Sequence, residues 1–420
     1  MEQREMPRRT ILKGGAAGVA GMSVLHASGA AHAFPGGRED DQVVPWLDQP
    51  TDIPPPAQNI LGHPLVWEDL DSWRTPNDEF FTVKHYNQPQ LSPTDWRLGV
   101  DGLVADPQSL ALADLRRLPR TSVDFTLECS GNHGLPFLVG GIGNARWGGT
   151  PLRRLLRQAG LRAGATEVVF WGADRGQVTI RDNPGVTGGG RTGTVEADAG
   201  GGQDLTITEQ FARSMSVDDA MSPHNLLCYE MNGQPLPPEH GYPLRLIAPG
   251  WYGVANVKWL TRIQVIDRRF EGRFMARDYV TIRETRHAGD TVWTFTSVAK
   301  DRLKSAPAKV VRRGGLHRVV GAAWGAPIGR VEVQVDDGPW RAAKVHRHRG
   351  ERAGGQDGHG FAWNFWTWQW GTPTRGEHTV RSRAFAVGGR MQPAADDPSV
   401  ANRRTYWENN GQIARRVLIA

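Results

Sequence analysis

The 420-residue sequence has no apolar run long enough to cross a membrane, and it contains only two cysteines. A membrane-spanning helix needs about 20 consecutive apolar residues, so we expect no membrane span. The net charge of +6 is small for this length. It suits an anionic ligand but does not indicate a nucleic-acid partner, which usually needs a concentrated basic face. The composition, 39% hydrophobic and 22% charged, is typical of a folded protein with room for two domains.

The two cysteines, Cys129 and Cys228, lie 99 residues apart. In an oxidising compartment they could form a disulfide. A cysteine can also be a nucleophile or a metal ligand. Composition alone leaves these alternatives open, and the surrounding motifs must decide between them.

Residues 1–33 have the pattern of an export signal. Arg8 and Arg9 precede a weakly apolar run from Gly14 to Leu25, and Ala31-His32-Ala33 is similar to a cleavage site. Twin arginines before such a run resemble a twin-arginine export signal, while the alternative is a flexible basic tail. We therefore expect export to the periplasm or the extracellular space.

A lead-in rich in Pro, Asp and Gly follows over residues 34–69, and residues 70–275 then mix helix and strand signals. Thr150 as N-cap, Pro151 in the first turn and Gly160 as terminator predict one helix. A second helix is predicted to start near Thr208, with Phe211 and Met215 facing inward. The glycine-rich segment 187–202 is predicted to be a surface loop.

The periodicity changes in residues 290–420. Val331, Val333 and Val335 alternate with polar residues and are followed by the turn Asp337-Gly338. Repeated strands without a helical period indicate a β-sandwich. We place the boundary between about Asp267 and Ala308, which predicts an α+β fold with the sandwich second.

The segment from Phe125 to Gly134, FTLECSGNHG, brings an apolar strand to Cys129 and then to small turn-forming residues. Such a turn lifts a thiol out of a sheet, and a soft thiolate suits a heavy transition metal. A cysteine protease would need a histidine base nearby; His133 is four residues away, but no known protease signature surrounds it.

A second group of residues lies between Leu226 and Leu260. It contains His240, Arg245 and Lys258 among several glycines, and Asp174 closes an earlier apolar strand. Cationic and imidazole donors near glycines are suited to a phosphate-bearing ligand. Each residue alone is more commonly a turn or surface residue, but together they predict a binding site.

These segments resemble the sulfite oxidase family of molybdopterin enzymes over nearly all of the mature length. The family's C-[AS]-G-N turn, whose cysteine ligates molybdenum, matches at Cys129. Its E-M-N-G-x-x-L-P-x-x-H-G-[FY]-P-x-R stretch matches Glu230 to Arg245, and its V-K-W-L matches Val257 to Leu260. The resemblance favours Cys129 as a metal ligand over a disulfide, and Cys228 is then interpreted as a buried strand residue.

The resemblance implies a molybdopterin-binding domain over 70–275 and an Ig-like dimerisation domain over 290–420. It also implies a molybdenum-molybdopterin cofactor, oxygen-atom transfer, a homodimer and a small-molecule substrate. No C-x-x-C-H haem attachment motif occurs, so we expect an external electron carrier such as a c-type cytochrome. The residues implied for catalysis are Cys129, Trp147 and Tyr279. Those implied for cofactor binding are Phe81, Thr82, Val83, Lys84, His85, Cys129, Asp174, His240, Arg245, Asn256, Val257 and Lys258.

The sequence departs from the family where sulfite is bound. Sulfite-oxidising members surround their dianion with arginines, because guanidinium groups fit oxyanions well. The matching positions here are Val83, His133 with Gly134, and Asn410, while Lys84 or His133 could restore a positive charge. We therefore predict that the substrate is a small sulfur compound, that sulfite is a poor substrate, and that a neutral or weakly charged sulfur compound is a better one. The alternatives are a sulfoxide-type reductase and a secreted binding protein that has lost the metal.

Overall fold

The computed structural model describes residues 40–49, 60–133, 139–183, 203–347 and 360–420. The predicted export signal and the predicted glycine-rich loop lie outside these residues.

The strands in chain order are β1 (Gln42–Val44), β2 (Leu61–Gly62), β3 (Thr82–Val83), β4 (Leu98–Gly102), β5 (Gln108–Leu110), β6 (Thr121–Glu128), β7 (Ile142–Pro151), β8 (Glu167–Asn183), β9 (Gln203–Ser216), β10 (Leu226–Met231), β11 (Gln234–Pro235), β12 (Arg245–Ile247), β13 (Leu260–Ile266), β14 (Val280–His287), β15 (Asp290–Ser297), β16 (Lys304–Arg313), β17 (Leu316–Trp324), β18 (Ile328–Val335), β19 (Arg341–His346), β20 (Asn364–Gly371), β21 (Gly376–Ala386) and β22 (Ile413–Ile419).

Helices are few and short in the described residues. The α-helices are α1 (Leu112–Arg117), α2 (Leu152–Ala159), α3 (Val217–Ala220), α4 (Arg273–Ala276) and α5 (Pro398–Ala401), and 3-10 turns span Trp67–Asp69, Pro238–His240 and Gly253–Ala255. The predicted α+β class is therefore correct only coarsely, because the chain is mostly β. No helix in the described ranges is both long and apolar enough to cross a bilayer.

Two five-stranded sheets form the first region. One has the order β11-β10-β7-β6 with β12 also paired to β10, and the other has the order β5-β4-β13-β8-β9. A shared apolar core includes Leu98, Phe170, Leu246 and Ile263, all buried. The cysteine turn follows β6 of the first sheet, and Asp174 lies on β8 of the second, so the two sheets carry opposite sides of one site.

The first predicted helix is present as α2. Its leucines Leu152, Leu155 and Leu156 are buried, and Gly160 ends it with a positive φ of 66°. The predicted N-cap is wrong by one residue. Pro151 is the N-cap, and the Thr150 hydroxyl instead donates to the Leu115 carbonyl at 3.0 Å.

The second predicted helix is wrong, because Thr208, Phe211 and Met215 lie on strand β9. Phe211 and Met215 are four residues apart, a spacing that puts two side chains on the same face of a helix and also of a strand. Pairing along β8 decides for the strand: Met215 lies opposite Val168, and Thr208 lies opposite Gln177.

The C-terminal region is an eight-stranded sheet with the order β1-β16-β17-β20-β19-β18-β21-β22. Neighbouring strands are antiparallel. The two ends meet at a bridge between Trp46 and Val417, so the sheet closes around its own core. Val331 and Val333 of β18 are buried in that core, as their alternation predicts. Strand β1 comes from the lead-in, which the composition did not indicate.

The two regions share a buried apolar contact. Trp67 and Ile142 of the first region pack with Ala322, Trp324 and Trp363 of the second, and all five are buried. The rings of Trp67 and Trp324 stack with centroids 5.7 Å apart. The cysteine turn therefore lies beside the C-terminal sheet as well as beside its own sheet.

Candidate functional site

A cleft with an empty volume of about 610 Å³ opens between the two sheets of the first region. The structure brings eleven of the predicted site residues to its wall: Phe81, Thr82, Val83, His85, Cys129, Asp174, His240, Arg245, Asn256, Lys258 and Tyr279. These residues come from segments that are far apart in sequence.

Cys129 stands at one end of the cleft, directly after β6. Its backbone N–H donates to the Gly141 carbonyl at 2.8 Å, and its carbonyl accepts from the Asn132 N–H at 2.9 Å. Burial raises the pKa of the Cys129 thiol to about 11. A metal ion bound to the sulfur would displace that proton, because coordination deprotonates a thiol outright.

Neither cysteine forms a disulfide. Cys228 is fully buried in β10, and its S–H donates to the Glu230 carbonyl at 3.2 Å. The interpretation of Cys228 as a buried strand residue is therefore confirmed. No group of three or more His, Cys, Asp or Glu side chains able to hold a metal ion occurs in the residues that the structure describes.

Arg245 lies on β12, lines the cleft and is buried. Its guanidinium donates to the His240 carbonyl at 3.0 Å and to the Asn256 carbonyl at 3.1 Å. Its Nε has no hydrogen-bond partner within the described ranges. Burial lowers the pKa of Arg245 to about 10, which still leaves it charged at neutral pH.

Lys258 and Asp174 supply two further ionisable groups. The Lys258 ammonium donates to the Glu239 carbonyl at 2.9 Å. Burial, and then the charge of Arg245, lower the pKa of Lys258 to about 7. Burial raises the pKa of Asp174 to about 6, and its Oδ1 finds no partner in the described part of the chain. Buried polar atoms without partners are rare, so each one calls for a ligand or a solvent molecule.

His240 and Asn256 shape the wall between these charges. The His240 Nε2 lies 3.1 Å from the Asn77 carbonyl, and burial lowers the pKa of His240 to about 3, so the ring is neutral. The Asn256 side chain accepts from the Ala248 N–H at 2.7 Å and donates to the Tyr252 carbonyl at 3.0 Å. Asn256 therefore holds the loop that carries it.

His85 and Tyr279 form a close pair beside Cys129. The His85 Nε2 and the Tyr279 hydroxyl are 2.6 Å apart, and the His85 ring stacks on Phe211 at 5.0 Å. Burial lowers the pKa of His85 to about 3 and raises the pKa of Tyr279 well above its usual value. Both groups are therefore uncharged at neutral pH.

Three of the predicted residues do not line the cleft. The Lys84 side chain is exposed, and Val257 is buried in the core. Trp147 is fully buried, and the Arg245 guanidinium lies 5.0 Å from its ring centroid. The Trp147 ring therefore packs against the Arg245 guanidinium. The roles predicted for Trp147, Lys84 and Val257 stay predictions.

The sequence reasoning missed an aromatic wall made by Phe211, Tyr406 and Trp407. The Trp407 ring stacks on Tyr279 with centroids 4.4 Å apart. Tyr406 and Trp407 pack on the cysteine turn, where a side chain added at Gly131 would clash with both rings. Phe211 was predicted to face inward from a helix. Trp407 lies in the segment around Asn410 that the family resemblance already matched, so only Tyr406 had no signal beyond its aromatic neighbour.

Three positions at which sulfite-oxidising members of the family carry arginine have other residues in this chain. Val83 lines the cleft, and His133 is placed in the turn after Cys129, where its Nδ1 has no partner among the described residues. The Asn410 amide donates to the Leu303 carbonyl at 3.5 Å. Gly134 lies outside the described residues. Burial lowers the pKa of His133 to about 3, so it adds no positive charge at neutral pH.

Arginines do occur behind the aromatic wall, but a carboxylate holds them. The buried Glu408 side chain accepts from Arg283 at 3.5 Å and from Arg302 at 3.3 Å, and from the Thr281 hydroxyl at 2.6 Å. Arg403 donates to the Asn409 side chain at 3.0 Å. Each of these guanidinium groups therefore has at least one partner, while the buried Arg302 Nε has none in the described residues.

Comparison with known proteins gives consistent matches. The profile of the oxidoreductase molybdopterin binding domain matches residues 85–274. Sulfite oxidase of Gallus gallus is 33% identical over 345 residues, 76% of this chain and 66% of the relative. Sulfite oxidase of Arabidopsis thaliana is 30% identical over 300 residues, 64% of this chain and 69% of the relative. The chain spans between 50% and 66% of the lengths of the animal sulfite oxidases that it matches.

A solved structure is similar over the full length. The crystal structure of the sulfane dehydrogenase SoxCD from Paracoccus pantotrophus superposes with a TM-score of 0.68 and 25% identity. The match covers 99% of this chain and 100% of that chain. The fold similarity therefore includes both regions of the molecule.

Proposed function

The chain belongs to the sulfite oxidase family of molybdopterin oxidoreductases, and we propose that it transfers an oxygen atom to a small sulfur compound of low charge. The observation that carries this proposal is the cleft itself. Its wall presents a single soft thiol at Cys129 together with the ionisable groups of Asp174, Arg245 and Lys258, of which Asp174 and Arg245 are buried. A molybdenum-molybdopterin cofactor has a metal at one end and a phosphate at the other.

The residues present fit that cofactor. The Arg245 Nε and the Asp174 Oδ1 are buried and lack partners within the described residues, so both are available to a polar ligand. Arg245 and Lys258 would hold the phosphate, and Cys129 would be the protein ligand of the metal. The bound group supplies the two-electron redox chemistry and the oxygen transfer, while the chain supplies binding and orientation.

Around Cys129 the chain's own residues favour a substrate without two negative charges. Tyr279 lines the cleft with Trp407 stacked on it, and Tyr406 packs on the cysteine turn. The histidines His85 and His133 are neutral. Of the nearby arginines, Arg302 contacts Glu408 and Arg403 contacts Asn409. The buried Arg213 contacts the Phe274 and Val298 carbonyls. A dianion such as sulfite would have to enter this wall without the charge-assisted hydrogen bonds that oxyanion sites use.

Tyr279 is proposed to orient the substrate. Because its hydroxyl stays protonated at neutral pH, it offers a hydrogen bond and no charge. When His85 Nε2 carries the proton and donates to the hydroxyl oxygen, the hydroxyl hydrogen is left for a substrate or water oxygen. The stacked Trp407 ring restricts the tyrosine to that direction and excludes water from one side.

The balance of the proposed reaction requires an electron acceptor. Water supplies the oxygen atom, two protons leave to solvent, and two electrons leave to a separate carrier such as a c-type cytochrome. The similar structure is described as a sulfane dehydrogenase, which supports a reduced sulfur compound as the substrate here.

We also propose the export and the assembly of the protein. Arg8 and Arg9 with the following apolar run support twin-arginine export to the periplasm or beyond. The closed C-terminal sheet supports an Ig-like domain that forms a two-fold homodimer. Light scattering at micromolar concentration tests the dimer, and a stable monomer would contradict it.

A substrate panel with an artificial electron acceptor tests the function. Metal-loaded protein is given sulfite, thiosulfate and neutral organic sulfides, and reduction of the acceptor dye is followed. We expect turnover of a neutral or singly charged sulfur compound in preference to sulfite. Reduction of a sulfoxide by a reduced dye, with no oxidation of any sulfur compound, would show a reductase instead.

A further inference from the structure

Glu128, the residue before Cys129, is held by the C-terminal sheet. Its Oε1 accepts from the Lys304 ammonium at 2.7 Å and from the Asn132 amide at 3.0 Å. Its Oε2 accepts from the Trp324 indole N–H at 2.9 Å. The side chains of Glu128 and Lys304 are both 0% exposed. Lys304 and Trp324 lie on β16 and β17, outside the region that carries the cleft.

These contacts continue to the backbone of the cysteine turn. The Asn132 side chain, which donates to Glu128, accepts from the Gly141 N–H at 2.9 Å. The Gly141 carbonyl in turn accepts from the Cys129 N–H at 2.8 Å. A continuous series of hydrogen bonds therefore joins Lys304 to Cys129 through one carboxylate and one amide.

A buried ion pair is a poor means of stabilising a fold. The cost of removing two charges from water commonly equals the gain from their attraction, and an apolar pair of similar volume is often as stable. The carboxylate of Glu128 receives three donors with directional geometry. Such a network fixes a position more than it adds stability.

We propose that Lys304 and Trp324 are positioning residues for the cysteine turn, acting through Glu128 and Asn132. The C-terminal sheet then completes the metal-binding turn, in addition to any role in assembly. The inference rests on the proposed function only for the purpose of the turn, since the contacts themselves do not depend on a metal.

Hydrogen exchange of the turn tests the proposal in the full chain as purified. In Lys304→Met the Glu128 carboxylate loses its cation while still buried, which is strongly unfavourable. We expect amides in residues 125–133 to exchange at least about tenfold faster than in the unchanged protein, because local opening becomes easier. The double variant Glu128→Gln/Lys304→Met removes both charges and should restore much of the protection.

Arg415→Met is the matched control. Arg415 is also a buried cation of the C-terminal sheet, and it pairs with Asp48 at 3.0 Å, away from the turn. The control should destabilise the sheet and leave exchange in residues 125–133 unchanged. Equal acceleration in Arg415→Met and Lys304→Met would overturn the proposal, because the turn would then be reporting only the stability of the sheet.

Trp324→Phe is a second variant that tests the same proposal if Lys304→Met does not fold. This variant removes one donor to Glu128 and retains an aromatic ring. We expect exchange of the turn to rise about threefold, as for the loss of one hydrogen bond. Unchanged exchange would overturn the proposal. Molybdenum is measured on the same samples: its absence from the unchanged protein would contradict the proposed function and leave the exchange comparison intact.

Discussion

The two halves of the cleft differ in the charge of their polar groups. In the half proposed to bind the pterin phosphate, Arg245, Lys258 and Asp174 are ionisable, and the buried Arg245 and Asp174 have atoms without partners in the described residues. In the half beside Cys129, Tyr279 and Trp407 form an uncharged wall. A buried polar group without a partner costs free energy, which a bound ligand or a solvent molecule offsets. One half is therefore suited to a charged ligand and the other is not.

Removal of the Cys129 thiol should cause the largest loss of activity. We expect Cys129→Ser to abolish turnover while the pterin half still retains pterin, because a hydroxyl is a poor substitute for a soft thiolate. Turnover with an artificial acceptor and fluorescence of the oxidised pterin measure the two halves separately. Full activity in Cys129→Ser would contradict the assignment of the metal ligand.

The second cysteine provides the control for that variant. Cys228→Ser changes the same atom in β10, where the side chain donates to the Glu230 carbonyl and does not reach the cleft. A hydroxyl can make the same hydrogen bond. We expect cofactor content and turnover close to those of the unchanged protein.

Removing one cation from the other half should reduce cofactor retention about a hundredfold. Arg245→Met and Lys258→Met each delete a charge-assisted contact to a dianionic phosphate and leave neighbouring carbonyls unpaired. Pterin content after gel filtration measures the effect. Arg262→Met, which alters an exposed arginine paired with Asp101, should retain the cofactor; retention in all three variants would show that the phosphate lies elsewhere.

Adding a positive charge to the neutral half should make it more similar to the site of family members that use sulfite. We expect Val83→Arg to lower the KM for sulfite about tenfold or more, since one charge-assisted hydrogen bond contributes about 1.5–3 kcal/mol. Val83→Met is the control of similar bulk without charge. An unchanged KM in Val83→Arg, or micromolar saturation by sulfite in the unchanged protein, would show that charge at this position is not what limits sulfite.

The smallest expected effect is a pH dependence of cofactor binding. Lys258 has a pKa of about 7 without a ligand, and a bound dianion would keep it charged. Below pH 7 the lysine is already protonated, whereas above pH 7 binding must take up a proton. Affinity should therefore fall about fivefold from pH 7 to pH 8. Reconstitution of cofactor-free protein measures it, and Lys258→Arg should remove the dependence, because a guanidinium stays charged.

Much of the site could be predicted from sequence because its residues occur in recognisable segments. The turn at Cys129 and the stretch from His240 to Lys258 are each short segments whose residue types and spacing form a motif. The structure places both on one cleft. The helix α2 was similarly visible, because its leucines and Gly160 give both a face and an end.

The rest depended on contacts between distant residues. Strand β9 could not be distinguished from a helix at Phe211 and Met215, because only its pairing with β8 decides the matter. Strand β1 joins a sheet whose next strand, β16, lies more than 250 residues along the chain, with Val43 opposite Val311. The contact of Lys304 with Glu128 spans 176 residues and has no local signal.

The most direct test of the account is the molybdenum and pterin content of the full chain, expressed in a host that makes the cofactor. Metal analysis and oxidised-pterin fluorescence are measured on the same folded sample. We expect about one molybdenum and one pterin per chain, and loss of molybdenum in Cys129→Ser. A folded protein with neither metal nor pterin would contradict it, and would favour a secreted binding protein that has kept only the fold.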